Sequence, residues 1–340
     1  MKKLINPYKR LVVLAFALAP LLSMANDGDN VEKKRTISKT YNVGPDDRLS
    51  IENSFGNVTV STWDKNTIQV DIEIGVNAST EEKAQKMMDE ISVSDHQNGS
   101  DISFKTEIGR MSGKDKNFNG DRKFYVDYKI SMPSNNPLRI ENSFGKINIP
   151  DFGGTASLTS KFGELNTGKI PNAKLIHVEF GKAAIGPVNN ADVVFKFNSK
   201  SYVASISGNS KVDVQFCGQV VIAVDNSIKE LSLYQSYSTI NLKVRDNLSA
   251  QFDVYTNFGS FKNKTEFNIA EENEDENSGP KFDKNYTGKA GSGTAKIKIK
   301  SSFGSVKVYD INDKSADTDK GNDKDEDDKD DDKDNGKVNL

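Results

Sequence analysis

The sequence predicts an all-β protein whose main part is a parallel β-helix, a solenoid with turns of about 20 residues. Three observations support this fold class. The hexapeptide I-E-N-S-F-G occurs at residues 51–56 and again at 140–145. Weaker copies follow, each with an aromatic residue at a fixed position and most with a glycine directly after it. Within each copy the apolar residues alternate, as in a strand with one buried face.

The repeat has a regular internal pattern. Counting from the aromatic residue as position zero, apolar residues recur four before it and three after it, and glycine usually comes one after it. The pattern places the aromatic residue at Phe55, Phe144, Phe162, Phe180, Tyr237, Phe258 and Phe303. From Phe144 onward the gaps are 18, 18, 57, 21 and 45 residues. The longest gap divides into regular turns if Tyr202 and Cys217 fill the aromatic position, and the last leaves room for an irregular turn around residues 270–288.

The alternation predicts a bend in each turn. Positions −4, −2 and 0 share one side of a strand, whereas the apolar residues after glycine have the opposite parity. We therefore expect glycine to turn the corner through a bent or positive-φ conformation. The aromatic residues are expected to stack in the core about 4.8 Å apart, rather than to form an exposed sugar-stacking row. Polar side chains at −2 (Asn53, Asn142, Ser160) are expected to form a hydrogen-bonded ladder, and opposite charges at +2 and −1 to attract across neighbouring turns.

The two ends of the chain have different compositions. Four basic residues followed by the uncharged run 11–22 and Ser23-Met24-Ala25 indicate a secretory signal peptide, residues 1–25. The alternative, a retained anchor, would have to cross about 30 Å of hydrocarbon with twelve residues. No later apolar run is long enough to span a membrane. Residues 313–340 contain 12 acidic and 6 basic residues without aromatics, which predicts a disordered acidic tail.

Between these ends we expect two regions, a cap at residues 26–132 and a repeat domain at residues 133–312. In the cap, Ser79-Thr80-Glu81-Glu82 is a capping box before a short helix at 83–91. Asn98-Gly99 predicts a hairpin turn, and residues 124–132 alternate as a strand. This region is expected to protect the open edge of the stacked strands.

The S-F-G-x-[VI] repeats, the E-E-K-A-Q-K helix, the strand that ends Ile130-Ser131-Met132-Pro133 and the signal peptide resemble the bacterial "putative adhesin" domain family. The resemblance covers roughly residues 40–312. It implies an exported β-strand-repeat protein of uncharacterised function at the cell envelope, and the shared motifs are structural rather than catalytic.

Few residues point to chemistry. The two histidines, His96 and His177, have no metal-ligand spacing with each other or with Cys217, and the single cysteine excludes an intramolecular disulfide. Cys217 is expected to be a small buried apolar residue. No catalytic, cofactor-binding or metal-binding residue is predicted, and no cofactor. With its two ends removed the chain carries a net charge near −1, which does not favour nucleic-acid binding.

The sequence therefore predicts an exported, non-enzymatic, adhesin-like solenoid that presents a binding or scaffolding surface in the periplasm, on the cell surface or outside the cell. The expected partner is a polysaccharide or an envelope protein. Two alternatives stay open: an envelope-stress sensor and a β-helix polysaccharide lyase or hydrolase. Hydrolysis needs a carboxylate pair, and Glu52 and Glu141 share position −3 but need not lie in adjacent turns. The Asp-rich tail lacks the spacing of a Ca²⁺ loop, and the oligomeric state is not predicted.

Overall fold

A computed structural model describes residues 30–109, 124–272 and 282–318. These residues form 23 strands, one α-helix and one 3₁₀ helix. The all-β prediction with one short α-helix is confirmed for this part of the chain, and the strands make one large, mostly parallel sheet. The predicted signal peptide lies outside the described residues.

The elements follow one another along the chain with short connections. The α-helix α1 is Glu81–Asp89. The strands are β1 Val31–Asn42, β2 Arg48–Ser54, β3 Val58–Trp63, β4 Thr67–Ala78, β5 Ile91–Asn98, β6 Asp101–Ile108, β7 Phe124–Pro133, β8 Leu138–Ser143, β9 Lys146–Ile149, β10 Ala156–Lys161, β11 Glu164–Thr167, β12 Ala173–Glu179, β13 Lys182–Asn189, β14 Asp192–Lys196, β15 Lys200–Gln215, β16 Gln219–Ser236, β17 Thr239–Val244, β18 Ala250–Asn257, β19 Ser260–Lys264, β20 Asn268–Glu271, β21 Asp283–Ala290, β22 Ala295–Ser302 and β23 Ser305–Asp310.

Most strands belong to one of two parallel ladders. The first ladder runs in the order β6, β2, β8, β10, β12, β14, the second half of β15, the second half of β16, β22 and β18. The second runs β7, β3, β9, β11, β13, the first half of β15, the first half of β16, β17, β23 and β19. One strand of each ladder, joined by a single corner, is called a rung below.

The two copies of I-E-N-S-F-G lie side by side. β2 pairs with β8 in parallel register, so that Asn53 is opposite Asn142. The 83 residues between the hexapeptides include β3 to β7 and α1. The hexapeptide therefore occurs twice because two neighbouring rungs require the same strand and the same corner.

The inward side chains of both ladders form one continuous apolar core. Residues at positions −4 and +3, such as Ile140 and Ile147, are fully buried. Burial of side chains of this size contributes about 1.5–3 kcal/mol each, so the core is the main source of stability for the stacked rungs.

Antiparallel strands close the N-terminal end of both ladders. The hairpin β5–β6 covers the first ladder, and β7, β4 and β1 extend the second. The hairpin turn predicted at Asn98-Gly99 is confirmed, with Gly99 at positive φ. Helix α1 has Thr80 as its N-cap, whose hydroxyl accepts a hydrogen bond from the Lys83 amide at 3.3 Å. The helix begins and ends two residues earlier than predicted, and Ser79 is not the cap.

The C-terminal end of the first ladder is also antiparallel. β21 pairs with β18 and then with β20, where an irregular turn was predicted. The chain then returns to insert β22 between β16 and β18. This insertion separates Phe258 from Phe303 in sequence while leaving them adjacent in space.

The start of the predicted acidic tail is folded, which corrects the boundary at residue 313. Lys314–Asp317 form a 3₁₀ helix whose Ala316 is fully buried. The carbonyl of Ala316 accepts hydrogen bonds from the side-chain amides of Gln219 and Asn241, at 3.3 and 2.6 Å. The composition of the tail did not reveal this contact, because Gln219 and Asn241 lie about 97 and 75 residues before Ala316 in the sequence. Residues 319–340 lie outside the described residues.

Candidate binding surface

Nine aromatic residues at the corners, together with Phe282 at one end, form one stacked row along the molecule. Ten rings follow one another at centroid separations of 4.5–5.1 Å and interplanar angles of 1–18°. In spatial order they are Phe55, Phe144, Phe162, Phe180, Phe197, Phe216, Tyr237, Phe303, Phe258 and Phe282. We call this set the aromatic row. With one ring per strand spacing, it is on the order of 40 Å long.

The predicted stacking is present, but the prediction that the rings lie in the core is wrong. Phe144 is 41% exposed and Phe258 is 51% exposed, and the rings between them have similar values. The nine corner residues have φ between 49° and 63°, the left-handed region that non-glycine residues rarely adopt. Because a left-handed residue interrupts the strand alternation, position 0 faces outward although position −2 faces inward. The corner is therefore made by the aromatic residue itself.

Two members of the row were missed in the sequence. Phe197 and Phe216 occupy corners where Tyr202 and Cys217 were expected. Both carry the required apolar residue four positions earlier, Val193 and Val212. The spacing signal was present, but a gap of 17 residues and the lack of glycine after each ring concealed it.

Glycine follows the ring for a steric reason. A Cβ on Gly145 would lie 1.7 Å from the carbonyl oxygen of Gly56, and one on Gly163 would lie 1.9 Å from that of Gly145. Neither residue has positive φ. The expectation that glycine supplies the turn is therefore wrong. Glycine is needed because adjacent backbones approach too closely for a side chain.

In three rungs this glycine is replaced by a residue whose side chain accepts a hydrogen bond from a backbone amide of the neighbouring rung. The amide of Gly181 donates to Asn198 Oδ1 at 3.0 Å, that of Asn198 to Cys217 Sγ at 3.4 Å, and that of Cys217 to Ser238 Oγ at 2.9 Å. The predicted burial of Cys217 is confirmed, although it lies in the glycine position. Burial raises the pKa of its thiol, since the thiolate would lose solvation.

Buried amides support the row from inside, as the sequence predicted. Asn53 Nδ2 donates to Asn142 Oδ1 at 3.0 Å, and Asn142 Nδ2 donates to the carbonyl of Gly56 at 2.9 Å. Ser160 is the register partner of Asn142 on the next strand of the ladder, but its hydroxyl makes no hydrogen bond within the described residues. The ladder is thus formed by the two asparagines and is not continued by the serine.

Polar residues border the row on both sides. Lys146 Nζ lies 3.1 Å from Glu164 Oε2 on the second ladder, and Lys161 Nζ lies 3.9 Å from Glu179 Oε2 on the first. The predicted pairing of opposite charges between rungs is confirmed. A hydrogen bond from Asn166, together with one from Lys146, lowers the pKa of the Glu164 carboxyl below its ordinary value. Exposed pairs of this kind contribute about 0–1 kcal/mol each.

The remaining chemically suggestive side chains do not converge. His96 is exposed on β5, while His177 is half-buried on β12 and its pKa is lowered by desolvation. Glu52 and Glu141 are register partners on adjacent strands. Each is paired with a cation, however: Glu52 with Lys105 at 3.9 Å and Glu141 with Arg139. Across the described ranges, no group of three or more His, Cys, Asp or Glu side chains could hold a metal ion.

The exposed part of the row is large for a monomeric protein. Aromatic side chains present about 150–250 Å² each, and nine members are 41–63% exposed. Together they leave on the order of 800 Å² of aromatic surface in one strip. Monomers rarely expose a contiguous apolar patch above about 300–600 Å². Among the described residues, the row is therefore the strongest candidate for an interaction surface.

No protein-family model matches the sequence, and no curated protein matches it. The solved structures to which the chain is similar include a "putative cell adhesion protein" from Clostridium sporogenes (11% identity, TM-score 0.26, covering 82% of this chain and 100% of that one). Others are a "putative adhesin" from Bacteroides fragilis (12%, 0.28, 81% and 97%) and a "putative lipid binding protein" from Parabacteroides distasonis (11%, 0.27, 83% and 97%). Similarity at this level does not assign a function. No helix in the described part of the chain is long and apolar enough to cross a membrane.

Proposed function

We propose that the chain is an exported, non-enzymatic, adhesin-like protein of the cell envelope, and that the aromatic row is its docking surface for a protein partner. We further interpret the two ladders as two faces of a β-solenoid. Supporting this, the corners from Phe144 to Tyr237 recur every 17–21 residues in sequence, and one core is shared by both ladders. A solenoid would present the row on a long, regular flank.

The exposed area of the row is the observation that carries the proposal. Its roughly 800 Å² equals the area that each partner contributes to an interface of standard size. Interface centres are enriched in aromatic residues and surrounded by a polar rim. The row has this composition, with Lys146, Glu164 and their neighbours along its border.

Ring orientation favours a protein over a polysaccharide at the row. Each interior ring has both faces covered by its neighbours, as Phe162 does between Phe144 and Phe180. Only ring edges are presented outward. Edges carry the positive part of the aromatic quadrupole and pack against apolar or aromatic side chains, whereas stacking of a sugar needs a free ring face.

The stacking energy alone does not account for the row. A stacked pair contributes about 0.5–1.5 kcal/mol beyond area burial, while each left-handed non-glycine residue costs about 1–2 kcal/mol. The two terms are of similar size. Asparagine tolerates the left-handed conformation better than phenylalanine, yet all nine corners carry an aromatic residue. The stability of the corner therefore does not explain the choice of aromatic residues, and a binding role for the exposed rings does.

The test uses a ring-deletion variant of residues 26–340 in which Phe144, Phe162 and Phe180 are each replaced by Asn. Asn fits the left-handed corner and removes the exposed rings. The matched control is Ala184→Asn, an exposed position on the same rung as Phe180. Retention is measured on immobilised outer-surface protein and, separately, on acidic and neutral polysaccharides, together with the appearance of new polysaccharide ends.

We expect the wild type and Ala184→Asn to be retained on envelope protein and the triple variant to lose at least about tenfold in affinity, because several central aromatic contacts are removed. Equal retention of all three proteins would refute the role of the row. Retention on polysaccharide alone would show that the partner is a glycan, and cleavage of the polysaccharide would overturn the non-enzymatic assignment.

A further inference from the structure

A shallow cleft lies next to the aromatic row, near the C-terminal end of the first ladder. Its volume is about 470 Å³, and its lining includes Lys211, Asp213, Tyr234, Tyr255, Lys300 and Ser302. These residues come from β15, β16, β18 and β22, four consecutive strands of the ladder. The lining is therefore fixed by sheet register and not by a loop.

Register explains why a depression forms at this place. Tyr234 is opposite Lys300, and Lys300 is opposite Tyr255, so three large side chains stand in one row at position −3. Two positions further along the strands, Ser236 is opposite Ser302. Both serines line the cleft, whereas three rungs nearer the middle of the ladder have Lys161, Glu179 and Lys196 at the same position.

The cleft carries two lysines, Lys211 and Lys300. Within the described residues, neither Lys211 nor Lys300 has an acidic partner at ion-pair distance. Both ammonium groups instead lie over the ring of Tyr234, at 5.6 and 6.0 Å from its centroid. The nearby Lys298, in contrast, pairs with Glu230 at 3.3 Å. A ligand anion would give Lys211 and Lys300 the charge partner that they lack.

The rest of the lining suits the body of a sugar. Tyr234 is 40% exposed, and neither Tyr234 nor Tyr255 belongs to the aromatic row. Gln215 Nε2 donates to both carboxylate oxygens of Asp213, at 3.0 and 3.1 Å. Asp213, Ser236 and Ser302 all line the cleft, so carboxylate and hydroxyl groups border the same space. Aromatic rings for the apolar ring face, acceptors for hydroxyls and cations for an acid group together describe a saccharide that bears a carboxylate.

We propose that this cleft is a binding site for an acidic saccharide, such as a uronic-acid unit of a polysaccharide. Lys300 and Lys211 hold the carboxylate, Tyr234 and Tyr255 contact the sugar ring, and Asp213 accepts from its hydroxyls. The inference builds on the proposed binding function, but it concerns side chains separate from the aromatic row. A plain anion site would need neither the two tyrosines nor the carboxylate of Asp213, which repels anions.

The experiment is calorimetric titration of residues 26–340 with oligogalacturonate, with a neutral gluco-oligosaccharide and with inorganic phosphate. Lys300→Gln removes one cation of the cleft, and Lys298→Gln is its control, since the same strand loses the same charge outside the lining. Tyr234→Ser removes one ring, and Tyr202→Ser is its control, because Tyr202 is equally exposed on β15.

We expect oligogalacturonate to bind, with affinity reduced about five- to tenfold by Lys300→Gln or Tyr234→Ser and unchanged in both controls. Equal binding of phosphate, or equal losses in Lys298→Gln, would reduce the effect to general charge attraction and overturn the proposal. So would binding of the neutral oligosaccharide with the same affinity. The triple ring-deletion variant of the row separates the two proposals, since it should retain oligogalacturonate binding while losing its protein partner.

Discussion

Replacing Gly145 with alanine tests the steric explanation of the corners most directly. The new Cβ would lie 1.7 Å from the carbonyl oxygen of Gly56 and 2.5 Å from its carbon. Real Cβ atoms do not approach other heavy atoms closer than 3.0 Å. Because both partners are backbone, no rotamer change can relieve the contact. The two rungs would have to separate locally by more than about 1 Å.

Such a separation weakens the hydrogen bonds that join these rungs. The bonds at risk are Asn142 Nδ2 to the Gly56 carbonyl, the Lys146 amide to Asn57 Oδ1, and the Phe55 amide to the Ser143 carbonyl, at 2.8–3.0 Å. Each contributes about 0.5–1.5 kcal/mol, and overpacking adds about 1–3 kcal/mol. We therefore expect Gly145→Ala to reduce the free energy of unfolding by about 3–5 kcal/mol.

The assay is thermal unfolding followed by circular dichroism in the β region. At roughly 2–4 °C per kcal/mol, the variant should melt on the order of 10 °C below the wild type. Gly44→Ala is the control, because no atom lies within 4 Å of its added Cβ. If Gly145→Ala has the same melting temperature as Gly44→Ala and the wild type, the close approach of the rungs is not the reason for glycine at this position.

Three further outcomes are expected. Cys217 should react with a disulfide reagent at pH 8 only after denaturation, because it is buried and its thiol pKa is raised; fast labelling of the native protein would contradict this. A chain ending at residue 312 should melt below one ending at 318, since it leaves the amides of Gln219 and Asn241 without the Ala316 carbonyl; equal melting would show that the 3₁₀ helix is dispensable. Glu164 has a lowered pKa, so its stabilising contribution is complete above its ordinary value near 4.5 and is lost as the pH falls through the lower folded value. In an NMR titration, Lys146→Ala should move this midpoint upward, and an unchanged midpoint would exclude the pair as a cause.

The sequence was sufficient to predict the β-strands and the regular stacking of the aromatic rings. Apolar residues at fixed offsets indicated strand alternation, and repeated offsets indicated stacking. The charge pairs followed as well, because Lys146 and Glu164 occupy the same position in successive rungs. These features depend only on residue type and spacing, and both can be observed directly in the sequence.

The exposure of the aromatic row could not be predicted in the same way. Phe144 has the parity of a core residue, and hydrophobic residues are usually buried. Its outward direction depends on one backbone angle, φ of 60°, in a residue type that seldom adopts it. Periodicity assumes that the strand continues through this position, so the pattern favoured the core. The role of glycine was misassigned for the same reason, since the turn was attributed to the residue next to the one that makes it.

The cleft lies at outward positions that the repeat leaves unconstrained, unlike the aromatic row. Inward positions must fill one core, and the position after the ring must admit a neighbouring backbone, so both look alike from rung to rung. Position −1 has no such requirement. It carries Lys161, Glu179 and Lys196 in three rungs and serine in four others. The cleft forms where one serine pair, Ser236 and Ser302, lies beside Tyr234 and Tyr255. Large residues at position −3 combined with small residues at position −1 thus create the space into which a ligand fits.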